Sequence, residues 1–196
     1  MTNSIHTMND SHLSLRIELA YIEPLIWRRV IVPTSITLPR LSEVMLASMG
    51  WHNYHLHEFT IDGVRYGVPD PDGFDVAMDP VDEVGVSLTE VLGEAREFSY
   101  LYDFGDDWKH RVVLEGSQAA DLPPHASACV AGECACPPEN VGGPPGYMSF
   151  LEALVDPAND MHLEYTHWIG SSFDTEAFDV SAANERVQGV GMYKGA

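Results

Sequence analysis

Residues 98–115, FSYLYDFGDDWKHRVVLE, contain the pattern that decides the fold: two alternating segments on either side of a tight turn. Along the first segment, one face carries aromatic side chains, from Phe98, Tyr100, Tyr102 and Phe104. Along the second, one face carries Trp108, His110, Val112 and Leu114. Successive side chains of a strand point to opposite faces, and a glycine followed by two aspartates is typical of a turn. The stretch therefore predicts a β-hairpin with one aromatic face.

Further strand patterns lie outward from this hairpin. Residues 13–21 alternate between apolar and polar side chains, and residues 26–32 are rich in β-branched and aromatic ones, which predicts an antiparallel pair of strands. Asp-Gly at positions 62 and 63 separates two short apolar runs, and this dipeptide is a strong hairpin signal. The N-terminal two-thirds of the chain are therefore expected to build a sheet.

Helical patterns determine the rest of the fold class. Leu and Met side chains recur at helical spacing over residues 37–49. Residues 116–147 are dense in Pro and Gly, so we expect a long loop there, followed by helices at 149–155, 162–169 and 181–187. Strands first and helices last predict an α+β fold: mainly antiparallel sheet with helices packed on it and a helical C-terminal third. The expected boundaries are a disordered tail at 1–12, a single domain at 13–188 and a disordered tail at 189–196.

The charge of the chain restricts its partners. It has 196 residues, with 10 Lys and Arg against 30 Asp and Glu, and a formal net charge of −20. A negative field of this size repels phosphate backbones and anionic lipids, so we expect no non-specific nucleic-acid binding and no membrane binding. The apolar runs fall short of the roughly 20 residues that a membrane helix needs, and the first residues lack a signal-peptide core. We therefore expect a soluble, cytoplasmic protein with an unknown protein or small-molecule partner.

Histidines and carboxylates provide the first candidate site. His55 and His57 are two residues apart on a predicted strand, and His110 lies on another strand, a pattern that suits a zinc ion and equally suits histidines hydrogen-bonded in a core. Three carboxylates, from Asp103, Asp106 and Asp107, surround the hairpin turn. Such carboxylates can hold Mg²⁺, although they also cap the backbone of turns.

The three cysteines provide the second candidate site. Cys129, Cys134 and Cys136 lie within eight residues of one another in the Pro/Gly-rich segment. Three thiolates and one imidazole would complete a tetrahedral zinc site. Free buried thiols or a redox-sensitive pair explain the same spacing, so whether a cofactor is bound stays open.

Several strings taken together resemble the plasmid pRiA4b ORF-3-like family, also labelled as insertion-element passenger TnpR-like proteins. They are PLIWRR at 24–29, GWHNYHLHEF at 50–59, YDFGDDW at 102–108 and ACPPE at 135–139, followed by Gly142-Gly143 and Gly146-Tyr147. The resemblance runs from about residue 13 to residue 187. It implies a single α+β domain, found on plasmids, in mobile elements and in chromosomes, without an established activity. Cys129, Cys136 and Glu139 match the family pattern, whereas Cys134 does not, which favours a Cys129/Cys136 pair.

The expected function is a non-catalytic binding or interaction module. Its binding face would comprise side chains from the histidine strands, the acidic turn and the long loop: His55, His57, Asp103, Asp106, Trp108, His110, Glu139 and Tyr147. The alternatives are a metal-dependent hydrolase at the His/Asp positions and a structural zinc or redox site at the cysteines. Recombinase activity is disfavoured, because a serine recombinase needs arginines gathered around a nucleophilic serine.

The Pro/Gly-rich loop is expected to be ordered and packed on the sheet. Glu139 should be hydrogen-bonded to backbone or to an arginine, and Cys129 should lie near Cys136, within the roughly 4.4 to 6.8 Å between Cα atoms that a disulfide allows. Aromatic side chains should anchor the packing of sheet against helices: Trp27, Trp51, Tyr102 and Trp108.

Overall fold

The aromatic hairpin lies at the centre of an eight-stranded sheet in the computed structural model, which describes residues 11–70, 79–170 and 172–190. Its strands are β1 His12–Leu19, β2 Trp27–Pro33, β3 His57–Ile61, β4 Val64–Gly67, β5 Val81–Asp82, β6 Glu97–Tyr102, β7 Trp108–Gln118 and β8 Ala128–Glu133. They follow the order β5-β4-β3-β6-β7-β1-β2-β8, and every neighbouring pair is antiparallel except β4 and β5.

Five helices in the described residues complete the domain: α1 Leu38–Met49, α2 Leu88–Leu92, α3 Gly143–Val155, α4 His162–Ile169 and α5 Val180–Gly189. Helix α1 packs against β2 and α5, and α5 also contacts β8. The predicted α+β class and the mainly antiparallel single domain are confirmed. None of the helices among these residues is long and apolar enough to span a membrane.

Alternation along the strands gives the sheet two unlike faces. On β1, Leu15, Ile17 and Leu19 are fully buried against the helices. The residues between them, Arg16 and Glu18, point to the opposite face and pair with each other. This second face, called the outer face below, carries polar and charged side chains on the neighbouring strands as well.

The predicted long loop is the main correction to the fold. Residues 128–133 form β8, which pairs antiparallel with β2 through a bulge, and α3 begins at Gly143 rather than at 149. The segment ACVAGE has no clear period and only one strong strand former, Val130, so pairing with β2 decides its structure. Prolines in the first turn of α3 cost no helical hydrogen bond, which is why a Pro-rich segment begins a helix.

Four smaller differences concern element ends and side-chain directions. His55 precedes β3 rather than lying on it, and Phe104 is 54% exposed because β6 ends at Tyr102. Trp27 lies on the outer face beneath the Arg16 guanidinium, 4.1 Å from its ring centroid, and does not anchor the core. Strand β1 already begins at His12 and α5 continues to Gly189; the predicted tails otherwise fall largely outside the described residues.

Candidate binding site at the end of the aromatic hairpin

Tyr102 and Glu139 join the hairpin to the Pro/Gly-rich segment. The Tyr102 hydroxyl donates to Glu139 Oε1 at 2.6 Å and accepts from the Tyr54 amide at 3.1 Å. The other carboxylate oxygen, Oε2, accepts from the His52 amide at 2.9 Å. Burial, together with the adjacent Glu139 carboxylate, raises the pKa of Tyr102, so this phenol stays protonated and keeps donating. The prediction that Glu139 is hydrogen-bonded to backbone is confirmed.

His55 lies beside this contact and bridges the hairpin turn to the same segment. Its Nε2 is 2.8 Å from Asn140 Oδ1 and 3.3 Å from Asp103 Oδ2. Both neighbouring oxygens are hydrogen-bond acceptors, so the geometry assigns a proton to Nε2. Within the described residues nothing hydrogen-bonds to Nδ1, and the His55 side chain is 32% exposed. The ring is therefore held on one side only, and its other nitrogen has no partner in the described part of the chain.

A close approach of two backbones locks the turn against the start of α3. The Gly142 amide donates to Asp106 Oδ2 at 3.1 Å. A Cβ on Gly143, which has φ +68°, would lie 2.1 Å from the Asp106 carbonyl oxygen, so only glycine fits there. Asp103, itself at φ 57°, accepts from the Gly105 amide at 3.0 Å and thereby shapes the turn.

Exposed aromatic and aliphatic side chains surround these polar groups. Tyr54 is 73% exposed, and its ring stacks on that of His52 at a centroid distance of 5.5 Å. Leu56 and Phe104 are also exposed, and the Leu56 carbonyl accepts from the Asp103 amide at 3.0 Å, which holds the two segments together. We call the set Tyr54, His55, Tyr102, Asp103, Glu139 and Asn140 the hairpin-end site.

His57 belongs to a different, buried network. Its Nε2 donates to both oxygens of the Glu83 carboxylate, at 3.0 and 3.1 Å, and both side chains are largely buried. Its ring also contacts Tyr100, whose hydroxyl is 2.7 Å from Ser42 Oγ. Glu83 was not a candidate in the sequence, since it follows a segment without a recognisable pattern. His57 is therefore held inside the fold rather than presented on a surface.

Trp108, His110 and Tyr147 are core residues rather than surface ones. All three are buried. The His110 ring lies between Trp51 and Tyr100, and burial lowers the pKa of His110 to about 4. Its Nδ1 has no hydrogen-bond partner in the described chain. These three predicted binding-surface candidates therefore lie in the core and not on a binding surface.

The three cysteines surround the buried guanidinium of Arg28. All three are free thiols. Burial raises the pKa of each, to about 12 for Cys136, and the positive charge of Arg28 opposes that rise at all three. Burial is the main cause that raises the pKa of Tyr147 to about 12, and the neighbouring Cys136 and Cys134 raise it further. The described residues thus contain uncharged thiols here, without a disulfide.

The candidate metal ligands are separated by this arrangement. Among residues 11–70, 79–170 and 172–190, no three His, Cys, Asp or Glu side chains are grouped so that they could hold a metal ion. His55 pairs with Asp103, His57 pairs with Glu83, and His110 lies among aromatic rings. The convergence of His57, His110 and the acidic turn that a metal-dependent hydrolase requires is not found.

Fold and site together define a single-domain α+β protein whose Cys-Pro-Pro-Glu segment is hydrogen-bonded to the end of a central hairpin. Residues 11–182 match the family described as plasmid pRiA4b ORF-3-like protein, and the chain belongs to this family. It is 42% identical over 180 residues to the uncharacterised protein y4hQ of Sinorhizobium fredii, covering 90% of this chain and 91% of that protein. It also resembles a crystal structure of MM3350, a protein of unknown function from Methanosarcina mazei Go1. That likeness has a TM-score of 0.75 at 32% identity, covering 87% of this chain and 96% of the other.

Proposed function

We propose that this protein is a non-catalytic binding module and that the hairpin-end site is its binding surface. The observation that carries the proposal is His55: its Nε2–H is held by Asp103 and Asn140, whereas its Nδ1 has no partner among the described residues and its side chain is 32% exposed. The surrounding segments are fixed to one another by the Tyr102–Glu139 and His52–Glu139 hydrogen bonds. A surface held in one shape before binding loses little conformational entropy when a ligand arrives.

The chemistry of the site favours a cationic ligand. Asp103, Asp106 and Asp107 cluster at the turn in a chain of net charge −20, and exposed Tyr54 and Phe104 flank them. An arginine side chain suits such a surface, because its guanidinium pairs with carboxylates and stacks on aromatic rings. We therefore propose that the partner is an arginine-bearing segment of another protein. The free thiols suit a reducing cytoplasm, where we place the module.

The arginines of the chain itself argue against strand exchange on DNA. Arg28 is buried with its guanidinium on backbone carbonyls, and Arg29 is paired with Glu115 at 2.5 Å. Neither is free to gather around a phosphate, as recombinase chemistry requires. Random duplex DNA therefore serves as the negative control, and we expect it not to bind.

The test is an NMR titration of the ¹⁵N-labelled protein with N-acetyl-arginine amide, with N-acetyl-glutamine amide as the uncharged probe. Shift changes should concentrate at residues 52–56, 102–107 and 139–142 with the arginine probe alone. Asp103→Asn should weaken the response several-fold, because it removes both the charge and the Oδ2 acceptor of His55, while the retained oxygen still caps the turn. Asp156→Asn, on the distal end of α3, removes the same charge and should leave the response unchanged.

Three results would contradict the proposal. Shift changes spread evenly over the acidic surface would show that the overall negative charge attracts the cation and that no specific site binds it. An equal loss in Asp103→Asn and Asp156→Asn would show the same. Saturable binding of duplex DNA at physiological salt would indicate a polyanionic partner instead of a cationic one and would favour recombinase activity.

A further inference from the structure

The outer face of the sheet carries a set of ion pairs that the hairpin-end site does not use. Five cations on it, or at its edge, each pair with a carboxylate: Arg16 with Glu18, Arg29 with Glu115, Arg65 with Glu58, Lys109 with Asp107, and Arg111 with Glu97. Arg111 also contacts Glu18 at 3.0 Å, which links β7 to β1. Cations and carboxylates therefore alternate across neighbouring strands.

This distribution makes the outer face different in charge from the rest of the molecule. The pairs use five of the ten Lys and Arg residues and five of the thirty Asp and Glu residues. The paired set is neutral, and the whole net charge of −20 belongs to the remainder of the chain. Two copies repel each other over most of their surfaces, and this face is where the repulsion is weakest.

Shape and apolar content also suit an interface. A groove of about 610 Å³ lies on this face and is lined by Thr60, Ser99, Leu101, Lys109 and Arg111, with exposed Tyr21 at its rim. Part-exposed Trp27 and Val113 lie on the same side of the sheet. With a strand spacing of about 4.8 Å and about 3.3 Å per residue, the strands from β3 to β2 present roughly 24 by 20 Å. That footprint falls in the small, weak class of protein interfaces.

We propose that the outer face is a homodimer interface, with a second copy of this chain as its occupant. A two-fold axis brings the same patch of both molecules together, so a patch has to be complementary to itself. A neutral face with alternating signs meets that condition, because a small offset places cations of one copy against carboxylates of the other. A partner that carried charges of one sign only would be attracted by half of the charged groups on this face and repelled by the other half. Asp107, at the edge of the face, belongs to the hairpin turn, whereas the other four pairs lie outside the hairpin-end site, so the dimer does not rest on the proposed function.

The test measures self-association by sedimentation equilibrium at physiological salt, over protein concentrations from about 5 to 500 µM. The wild type should show a concentration-dependent monomer–dimer equilibrium. Arg111→Gln should weaken it about tenfold, because it removes a cation from the centre of the face. The matched control is Arg40→Gln, which removes one positive charge at the start of α1, where Arg40 pairs with Glu43. It should change the dimer constant less than about twofold.

A second variant guards against loss of fold in Arg111→Gln. Ser99→Tyr places a bulky side chain on the groove floor, opposite Arg111 in the strand register, without removing a charged group, and a tyrosine suits a strand. It should also abolish the dimer while the thermal midpoint stays near that of the wild type. A protein that is monomeric at every concentration overturns the proposal. So does a dimer that survives both Arg111→Gln and Ser99→Tyr, or one that Arg40→Gln weakens as much as Arg111→Gln does.

Discussion

Replacement of Arg28 by Met should destabilise the protein far more than the same change at its neighbour, Arg29. Arg28 is 2% exposed and donates four hydrogen bonds, to the carbonyl oxygens of Ser48, Trp27, Glu133 and Cys134, at 2.7 to 3.2 Å. Its guanidinium also stacks over the Phe178 ring, 4.1 Å from the centroid. In this way it connects β2, the end of α1, the exit from β8 and the segment before α5.

The magnitude follows from those contacts. Hydrogen bonds from a charged donor contribute about 1.5 to 3 kcal/mol each before the cost of burying the charge is counted. Burial lowers the pKa of Arg28, because desolvation disfavours the charged guanidinium. Met keeps much of the volume and removes the buried charge, but it removes one donor from each of four carbonyls. Since a buried acceptor that loses its donor costs about 1 to 3 kcal/mol, and water can replace the donor at the part-exposed ones, we expect a loss of about 3 to 5 kcal/mol.

Arg29 is the matched control, because it lies on the same strand with the opposite orientation. Its side chain is 35% exposed and forms a bidentate pair with Glu115 on the outer face. Exposed pairs of this kind contribute about 0 to 1 kcal/mol. The assay is urea unfolding at two protein concentrations, which separates folding from self-association. Equal losses in Arg28→Met and Arg29→Met, or a loss below about 1 kcal/mol for Arg28→Met, would refute the reasoning.

Three further predictions concern single side chains. His110 is neutral in the fold, with a pKa of about 4 against 6.5 when unfolded, so stability is complete above pH 6.5 and is lost as pH falls towards 4. Between pH 7.5 and 5 the loss should be about 2 kcal/mol in denaturant melts; His110→Phe should remove it and exposed His125→Ala should not. Trp108→Ala should cost about 3 to 5 kcal/mol in the same melts, since the ring is fully buried, and a loss below 1 kcal/mol would contradict the strand register. A chromogenic thiol reagent at pH 8 should modify one cysteine of the folded protein quickly and three after unfolding, because Cys129 is 3% exposed and burial raises the pKa of Cys136 to about 12; persistence of the fast phase in Cys134→Ser would show otherwise.

The strands and hairpins were predictable because burial on one face of a sheet leaves a period-two record in the sequence. The β6–β7 hairpin and the pairing of β1 with β2 are both found as expected. The sequence of strand β8 shows no such alternation. The strand pairs through one edge with β2, and a side chain at Gly132 would collide with the Trp27 carbonyl. Its sequence reflects that close contact rather than an alternating surface.

The candidate site was predictable in its residues but not in its groupings. His55 and His57 share a short motif, yet each takes a carboxylate from a different distant segment, Asp103 and Glu83. Those partners are set by the pairing of β5 with β4 and by the contact of the hairpin turn with the residues before β3, and a single sequence contains no signal for such long-range contacts. Asn140 was missed for the same reason, since an amide beside a Pro-Pro-Glu string resembles any loop residue.

The order of the Pro/Gly-rich segment has a physical cause that does not involve sulfur. Prolines limit its backbone freedom, so fewer contacts are needed to hold it in one conformation. The Trp51 indole donates to the Pro137 carbonyl at 2.8 Å, Glu139 is held by Tyr102 and the His52 amide, and Asn140 accepts from His55. These hydrogen bonds attach three of four consecutive residues to the strand ends, while Cys129 and Cys136 remain free thiols. Because the same contacts also orient His55 and Asp103, the segment that closes the fold is the one that forms the proposed binding surface.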